Sequence, residues 1–129
     1  MSWEADLVAR LIGAPAVAAL VGDRIEWDDL AAESALPAIT LQVITDERPQ
    51  NHDGFDDFRG TRVQLNSLAR TKAQAIAVRE AAIAVLVTAG EQGSTTFLRS
   101  FIDGGGSDAE RTSTGRLCRE RTDFIIWHN

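Results

Sequence analysis

The period of the hydrophobic pattern changes along the chain. From Ser2 to Ile12 the apolar residues Leu7, Val8, Leu11 and Ile12 recur three and four apart, the spacing that gathers them on one side of an α-helix. Ser2 is placed to N-cap this helix, Glu4 and Asp6 fall in its first turn where the dipole favours acids, and Gly13 ends it. Pro15 suits the first turn of a second short helix, Ala16 to Val21, with Val17, Leu20 and Val21 inward and Gly22 as its stop. A short strand is expected at Arg24 to Trp27.

Beyond Pro37 the period becomes two. In Ala38 to Thr45, Ile39, Leu41 and Val43 alternate with more polar neighbours, which predicts a half-buried strand. Residues 46–60 have no period and many turn formers, so a long loop is expected there. Thr61 to Leu68 alternates again, with Val63 and Leu65 on one face. Thr71, with Gln74 three residues on, forms a capping-box arrangement at the start of the longest helix, which Gly90 closes. Its expected core stripe is Ala75, Ile76, Ala82, Ile83, Leu86 and Val87, with Arg79 and Glu80 outward.

Two more strands are predicted, Thr95 to Ile102 and Arg116 to Trp127. Between them Asp103 to Gly115, with Gly104, Gly105 and Gly106 in a row and many polar residues, has little to bury and reads as a loop. In the last strand Phe124 and Ile126 point to one face and Ile125 and Trp127 to the other. Helices can cover one of these faces, and the second calls for a loop or a neighbouring subunit. Strands joined by loops rather than crossover helices predict an α+β fold, a mostly antiparallel sheet with helices packed on one face.

Composition bounds this picture. The 129 residues, 44% hydrophobic and 25% charged, suit a single domain over residues 1–129. The lone cysteine, Cys118, cannot build an internal disulfide framework or, alone, a zinc site. A net charge of −6 speaks against tight wrapping of nucleic acid, which needs a net basic surface. No apolar run approaches the roughly 20 residues of a membrane span. The opening Met-Ser-Trp-Glu-Ala-Asp lacks the features of a signal peptide, so synthesis in the cytoplasm is expected.

The charge is also uneven. Residues 23–59 hold ten acids against three arginines, whereas residues 60–129 hold nine bases against seven acids. Such asymmetry suits two different working surfaces. All the bases but Lys72 are arginine, the cation favoured at protein interfaces.

Candidate chemistry is sparse. His52 and His128 are the only histidines, and the chain has no tyrosine, nucleophile elbow, phosphate-binding loop or metalloprotease helix. Cys118 and His128 lie ten apart on one predicted strand, roughly 33 Å at about 3.3 Å per residue, too far to act as nucleophile and base. The oxygens of Asn51 to Asp57 could surround a calcium ion, but their spacing fails the EF-hand rule. No catalytic residue, cofactor or metal is therefore expected.

Three stretches carry a resemblance: Pro15-Ala-Val-Ala-Ala-Leu-Val-Gly-Asp-Arg-Ile25, Leu36-Pro-Ala-Ile-Thr-Leu-Gln42 and Asp123-Phe-Ile-Ile-Trp-His128. In their order and spacing they resemble the tail-completion family of long-tailed bacteriophages and phage-like gene transfer agents. That family was formerly a domain of unknown function and is related in fold to tail terminators. The resemblance implies a structural virion protein with no active site. It would form a ring, a homohexamer in related terminators, that sits on the last ring of tail tube protein and stops its growth. The ring would meet a head-side connector or stopper protein and let DNA pass through its lumen without specific binding.

On that reading Phe124, Ile125, Ile126 and Trp127 are expected at the subunit interface. Asp53, Asp56 and Asp57 are expected to line the lumen, where they would repel phosphates. Gly104, Gly105, Gly106, Arg111 and Arg116 are expected in a partner-binding loop. Two alternatives belong to other classes. One is a small non-viral protein-binding or regulatory module, with Trp127 buried in its own chain. The other is a metal-dependent enzyme using the 51–57 acidic loop, which would bind metal measurably.

Overall fold

The computed structural model describes residues 2–29, 35–46, 50–51, 54–55 and 58–129. The N-terminal periodicity becomes α1 (Trp3–Ile12), capped by the Ser2 hydroxyl, which accepts from the Ala5 N–H at 3.2 Å. Pro15 opens α2 (Pro15–Val21). The extended pattern follows as β1 (Ile25–Trp27), β2 (Ala38–Asp46), β3 (Gln50–Asn51), β4 (Gly54–Phe55) and β5 (Arg59–Ala69). Next comes α3 (Lys72–Leu86), whose cap residue Thr71 accepts from the Gln74 N–H at 3.2 Å. The chain ends with β6 (Gly90–Gln92), β7 (Thr95–Phe97), β8 (Phe101–Thr112) and β9 (Gly115–His128).

These strands form one sheet in the order β1-β2-β5-β9-β7-β6, with β8 also on β9, while β3 and β4 pair separately. Every described pairing is antiparallel except that of β1 with β2. One edge of β9 is taken by β5. The other is shared, by β7 at His128 and by β8 from Gly115 to Ile125. The expected α+β architecture holds, with the helices over one face.

Period-two alternation puts Val63, Leu65, Phe124 and Ile126 on the covered face, each fully buried. There they meet Leu7 and Leu11 of α1 and Val78, Ala82 and Leu86 of α3. Fully burying one such aliphatic or aromatic side chain stabilises by about 1.5–3 kcal/mol. The α3 stripe is turned slightly from the one predicted. Ala75, Val78, Ala82 and Leu86 are buried, whereas Ile76, Ile83 and Val87 are half-buried at its flanks. Arg79, expected outward, instead leans onto the sheet and pairs with Glu120, whose side chain is only 2% exposed.

The predicted loop at 46–60 is shorter than the sequence suggested. β2 continues through Asp46, β5 begins at Arg59, and β3 and β4 pair within the interval. The predicted strand Thr95 to Ile102 is divided, because the chain leaves β9 after Leu98, whose N–H donates to the Trp127 carbonyl at 2.8 Å, and returns to it at Phe101.

Several polar groups in the interior have specific partners. Asp6, 2% exposed, accepts from the Thr95 hydroxyl at 2.6 Å and ties α1 to β7. Arg10 donates to the carbonyls of Val85, at 3.1 Å, and Thr88, where the end of α3 leaves acceptors open. Its guanidinium lies 5.2 Å from the Phe97 ring centre, and burial lowers its pKa below the ordinary arginine value.

His128 is fully buried. Its ring stacks on Trp3 at 4.2 Å, and its Nε2 lies 2.8 Å from the Thr61 hydroxyl. Burial is the largest influence on its pKa and lowers it, more than the contact with the Asn129 carbonyl raises it. The folded state therefore favours the neutral ring, while an unfolded histidine takes up a proton near pH 6.5. Stability is expected to fall as pH drops below about 6.5. Thermal melts across that window should show the loss in the native chain, and His128→Gln, though less stable throughout, should show less of it.

Candidate assembly surface

The described residues hold no group of three or more His, Cys, Asp or Glu side chains placed to bind a metal. Cys118 and His128 sit near opposite ends of β9, as their spacing required. Cys118 is buried with its thiol 3.8 Å from the Arg70 carbonyl oxygen. The acidic cluster at 51–57 falls largely outside the described residues, as do Asp53, Asp56 and Asp57. Among the described helices none is long and apolar enough to cross a membrane.

The remaining candidates lie on the β8–β9 hairpin, and one expectation needs correction. Gly104, Gly105, Gly106 and Arg111 are not in a loop but in β8, and Arg116 is in β9. The strands pair from Phe101 opposite Ile125 to Thr112 opposite Gly115, leaving only Ser113 and Thr114 as the turn. The Thr112 hydroxyl donates to the Gly115 carbonyl at 2.9 Å, and Arg70 reaches across to the Thr114 hydroxyl at 3.3 Å.

The glycines that suggested flexibility are what allow the pairing. The register shifts between Ile102 and Gly105, and Gly104 takes φ 111°, a conformation that side chains disfavour. At Gly105 a Cβ would lie 2.7 Å from the Arg121 carbonyl oxygen. The segment thus crosses closely over its partner strand at a bulge.

The uncovered face of this hairpin is charged. Arg62 donates to Asp103 and, at 3.1 Å, to Asp123, and these contacts raise its pKa above the ordinary arginine value, the bond to Asp103 foremost. Arg119 holds Asp108 at 2.9 Å and Glu110 at 3.7 Å. Beside them Gln64, Asn66, Arg119 and Arg121 border an open depression of about 440 Å³. It is too polar and shallow for the apolar enclosure typical of a small-molecule pocket. On the covered face the Glu120 carboxylate accepts from Arg79 at 3.2 Å and from Ser107, so β8, β9 and α3 meet at one buried charge.

Of the four interface candidates, Phe124 and Ile126 are fully buried in the chain's own core. Ile125 and Trp127 are half-buried on the opposite face. Trp127 lies against its register partner Gly60, where a Cβ would come within 3.0 Å of the indole. Only these two of the four reach a surface that another molecule could touch.

The bulge separates two neighbouring substitutions. Gly105→Ala should loosen β8 from β9 at a cost of about 1–3 kcal/mol, since a backbone carbonyl must move. Gly106→Ala would meet only the Arg121 guanidinium, 3.3 Å away and free to shift, and should change stability by less than about 0.5 kcal/mol. Amide exchange along β8, with melting temperature, distinguishes the two.

Comparison with known proteins places this architecture. The family model described as Tail completion protein gp17 matches residues 5–129. No curated protein matches the chain. A chain in the solved structure "Virion of native gene transfer agent (GTA) particle" is similar in fold, with a TM-score of 0.62 at 16% identity. The alignment covers 97% of this chain and 92% of that one. Because the family match runs from α1 through β9, the chain belongs to the tail completion protein gp17 family, structural components of phage-type tails rather than enzymes.

Proposed function

We propose that this protein is a tail terminator, forming a homohexameric ring that caps the tail tube, stops its growth and joins the tail to the head-side connector while DNA passes through. The observation that carries this reading is the family match over residues 5–129. The like-folded chain from a gene transfer agent virion supports it. As a tail component the protein meets other virion proteins, and on this reading they are the tube protein on one side of the ring and the connector on the other. The charged β8–β9 hairpin, with Arg111 and Arg116 near its tip, is a partner-binding surface. Guanidinium groups suit it to carboxylates on that partner.

The net charge of −6 fits a channel that must not retain DNA. Asp53, Asp56 and Asp57 are the residues assigned to the lumen, where like charge keeps the phosphate backbone moving.

Electron microscopy of assembled tails, with native mass measurement of the terminal complex, should find a six-fold ring of this chain at the head-proximal end. A single copy there would overturn the reading. Free protein can be monomeric without contradiction, since the tube ring can act as the template that stabilises the assembly. Changing Asp53, Asp56 and Asp57 together to Lys should leave rings and tails intact but slow DNA release, most at low salt where screening is weakest. Unchanged release at every ionic strength would remove these residues from the lumen.

A further inference from the structure

The apolar surface left over by this fold is not scattered. The exposed large hydrophobic residues among those described are Val43, Ile44, Leu98, Phe101 and Ile102, between 37% and 55% exposed. Val43 and Ile44 lie on β2, on one side of the sheet, and Phe101 and Ile102 lie on β8, on the other, with Leu98 just before it. Both are places where a strand edge is open among the described residues. β1 pairs with β2 only from Ile39 to Leu41, and no described strand continues along that side of residues 42–45. On the far side of β8 no described strand pairs at all, and all twelve of its residues are exposed. Long open edges with exposed apolar side chains are templates for pairing with another chain.

The two patches also stand level. Val43 pairs with Val63, Val63 with Phe124, and Phe124 with Ile102, in one row across the sheet. The adjacent row runs from Thr45 through Arg62 and Ile125 to Phe101. Rotation about a ring axis that runs along the strands leaves heights along that axis unchanged. A neighbour brought round by it presents its Val43 and Ile44 at the height of Ile102 and Phe101. The sheet is antiparallel along this path, so β2 of one copy would also run antiparallel to β8 of the next.

Charge follows the same division. Beside β1 the exposed Asp23, Asp28 and Asp29 have no ion-pair partner among the described residues. Around β8 the acids are already held, Asp103 by Arg62 and both Asp108 and Glu110 by Arg119. Arg99, Arg111 and Arg116 are exposed with no such partner among the described residues. Arg111 lies directly opposite Arg116, a like-charged cross-strand pair that is unfavourable until an acid joins it. Asp23, two residues before the Ile25 that faces Ile39, belongs to the same end of the strands as this pair.

We infer that neighbouring copies of this chain join head to tail through opposite sheet edges, Val43 and Ile44 of one copy packing against Leu98, Phe101 and Ile102 of the next. Asp23, Asp28 and Asp29 of the first then face the open arginines around β8 of the second. The patches are unlike and point away from each other, so one neighbour cannot satisfy both. Each contact leaves a free edge for the next copy until the chain of copies closes, the geometry of a ring rather than of a two-fold dimer. This contact rests on the ring proposed above and assigns its interface to the sheet edges, with Ile125 and Trp127 beside them.

Cysteine pairing in assembled tails tests it. Particles containing both Ile44→Cys and Phe101→Cys copies should form intermolecular disulfides on oxidation, while particles with either variant alone should not. The double variant should give a ladder of cross-linked species ending at the ring. Ile44→Lys and Phe101→Lys change exposed side chains, so each should keep the native melting profile yet lose the ring. Arg111→Glu should weaken ring formation, and adding Asp23→Lys should restore it. If native copies form a ring but both Lys variants keep it and no pairing of cysteines at 43 or 44 with 98, 101 or 102 cross-links, the edge contact is wrong and the ring stands. Self-linking of Ile44→Cys copies would replace it with a two-fold contact. Native copies that form no ring in the tail would overturn the ring itself and this interface with it.

Discussion

Arg59 to Ala69 of β5 pair residue by residue with β9, and the two strands alternate in step. Thr61, Val63, Leu65, Ser67 and Ala69 therefore share a buried face with Ile126, Phe124, Thr122, Glu120 and Cys118. A helix about 10 Å wide spans roughly two strands set about 4.8 Å apart, and the small Ala75 and Ala82 let α3 settle closely on this pair. Beyond the helix the residues of β8 on one side and the second half of β2 on the other stay exposed. The exposed edges follow from the width of one helix laid on a wider sheet.

The polar groups enclosed by this arrangement sit where elements meet. Asp6 with Thr95 joins α1 to β7, Thr61 with His128 joins β5 to the end of β9, and Glu120 joins β8 and β9 to Arg79 of α3. Ion pairs on the exposed face, such as Arg119 with Asp108, contribute little each because water screens them. Glu120 differs, since removing Arg79 would leave an almost fully buried carboxylate without its cation. These partners define one alignment of helix, sheet and hairpin more than they add stability.

On the proposed reading this protein works through its perimeter rather than through a cleft. The depression on the charged face of the hairpin is open and polar, whereas the apolar surface that still asks for a partner is on strand edges. Edges are well suited to assembly because backbone donors and acceptors give a directional contact and a few side chains select the mate. They are also a hazard. On β8 the charges of Asp103, Asp108, Glu110 and Arg111 discourage indiscriminate pairing along most of the strand, and the apolar contact is confined to its start.

Local periodicity made much of this legible. The caps at Ser2 and Thr71, the alternation of Ile39 with Leu41 and Val63 with Leu65, and the opposed faces of Phe124 and Ile125 all read directly as elements and orientations. They depend on neighbours a few residues away, which the chain carries with it. The β8 strand was not legible, because Gly104, Gly105 and Gly106 have low strand propensity and the extended form is imposed by pairing with β9. The burial of His128 depends on Trp3 at the other end of the chain, and the inward lean of Arg79 on Glu120, neither of which any local pattern reveals. The sequence by itself determined the three helices, the alternating strands β2, β5 and β9 with their apolar faces, and that charge divides between the two halves of the chain. Only the tertiary structure decided which apolar residues find cover, since that depends on how far α3 reaches across the sheet and so leaves Val43 and Ile44 on one edge and Phe101 and Ile102 on the other.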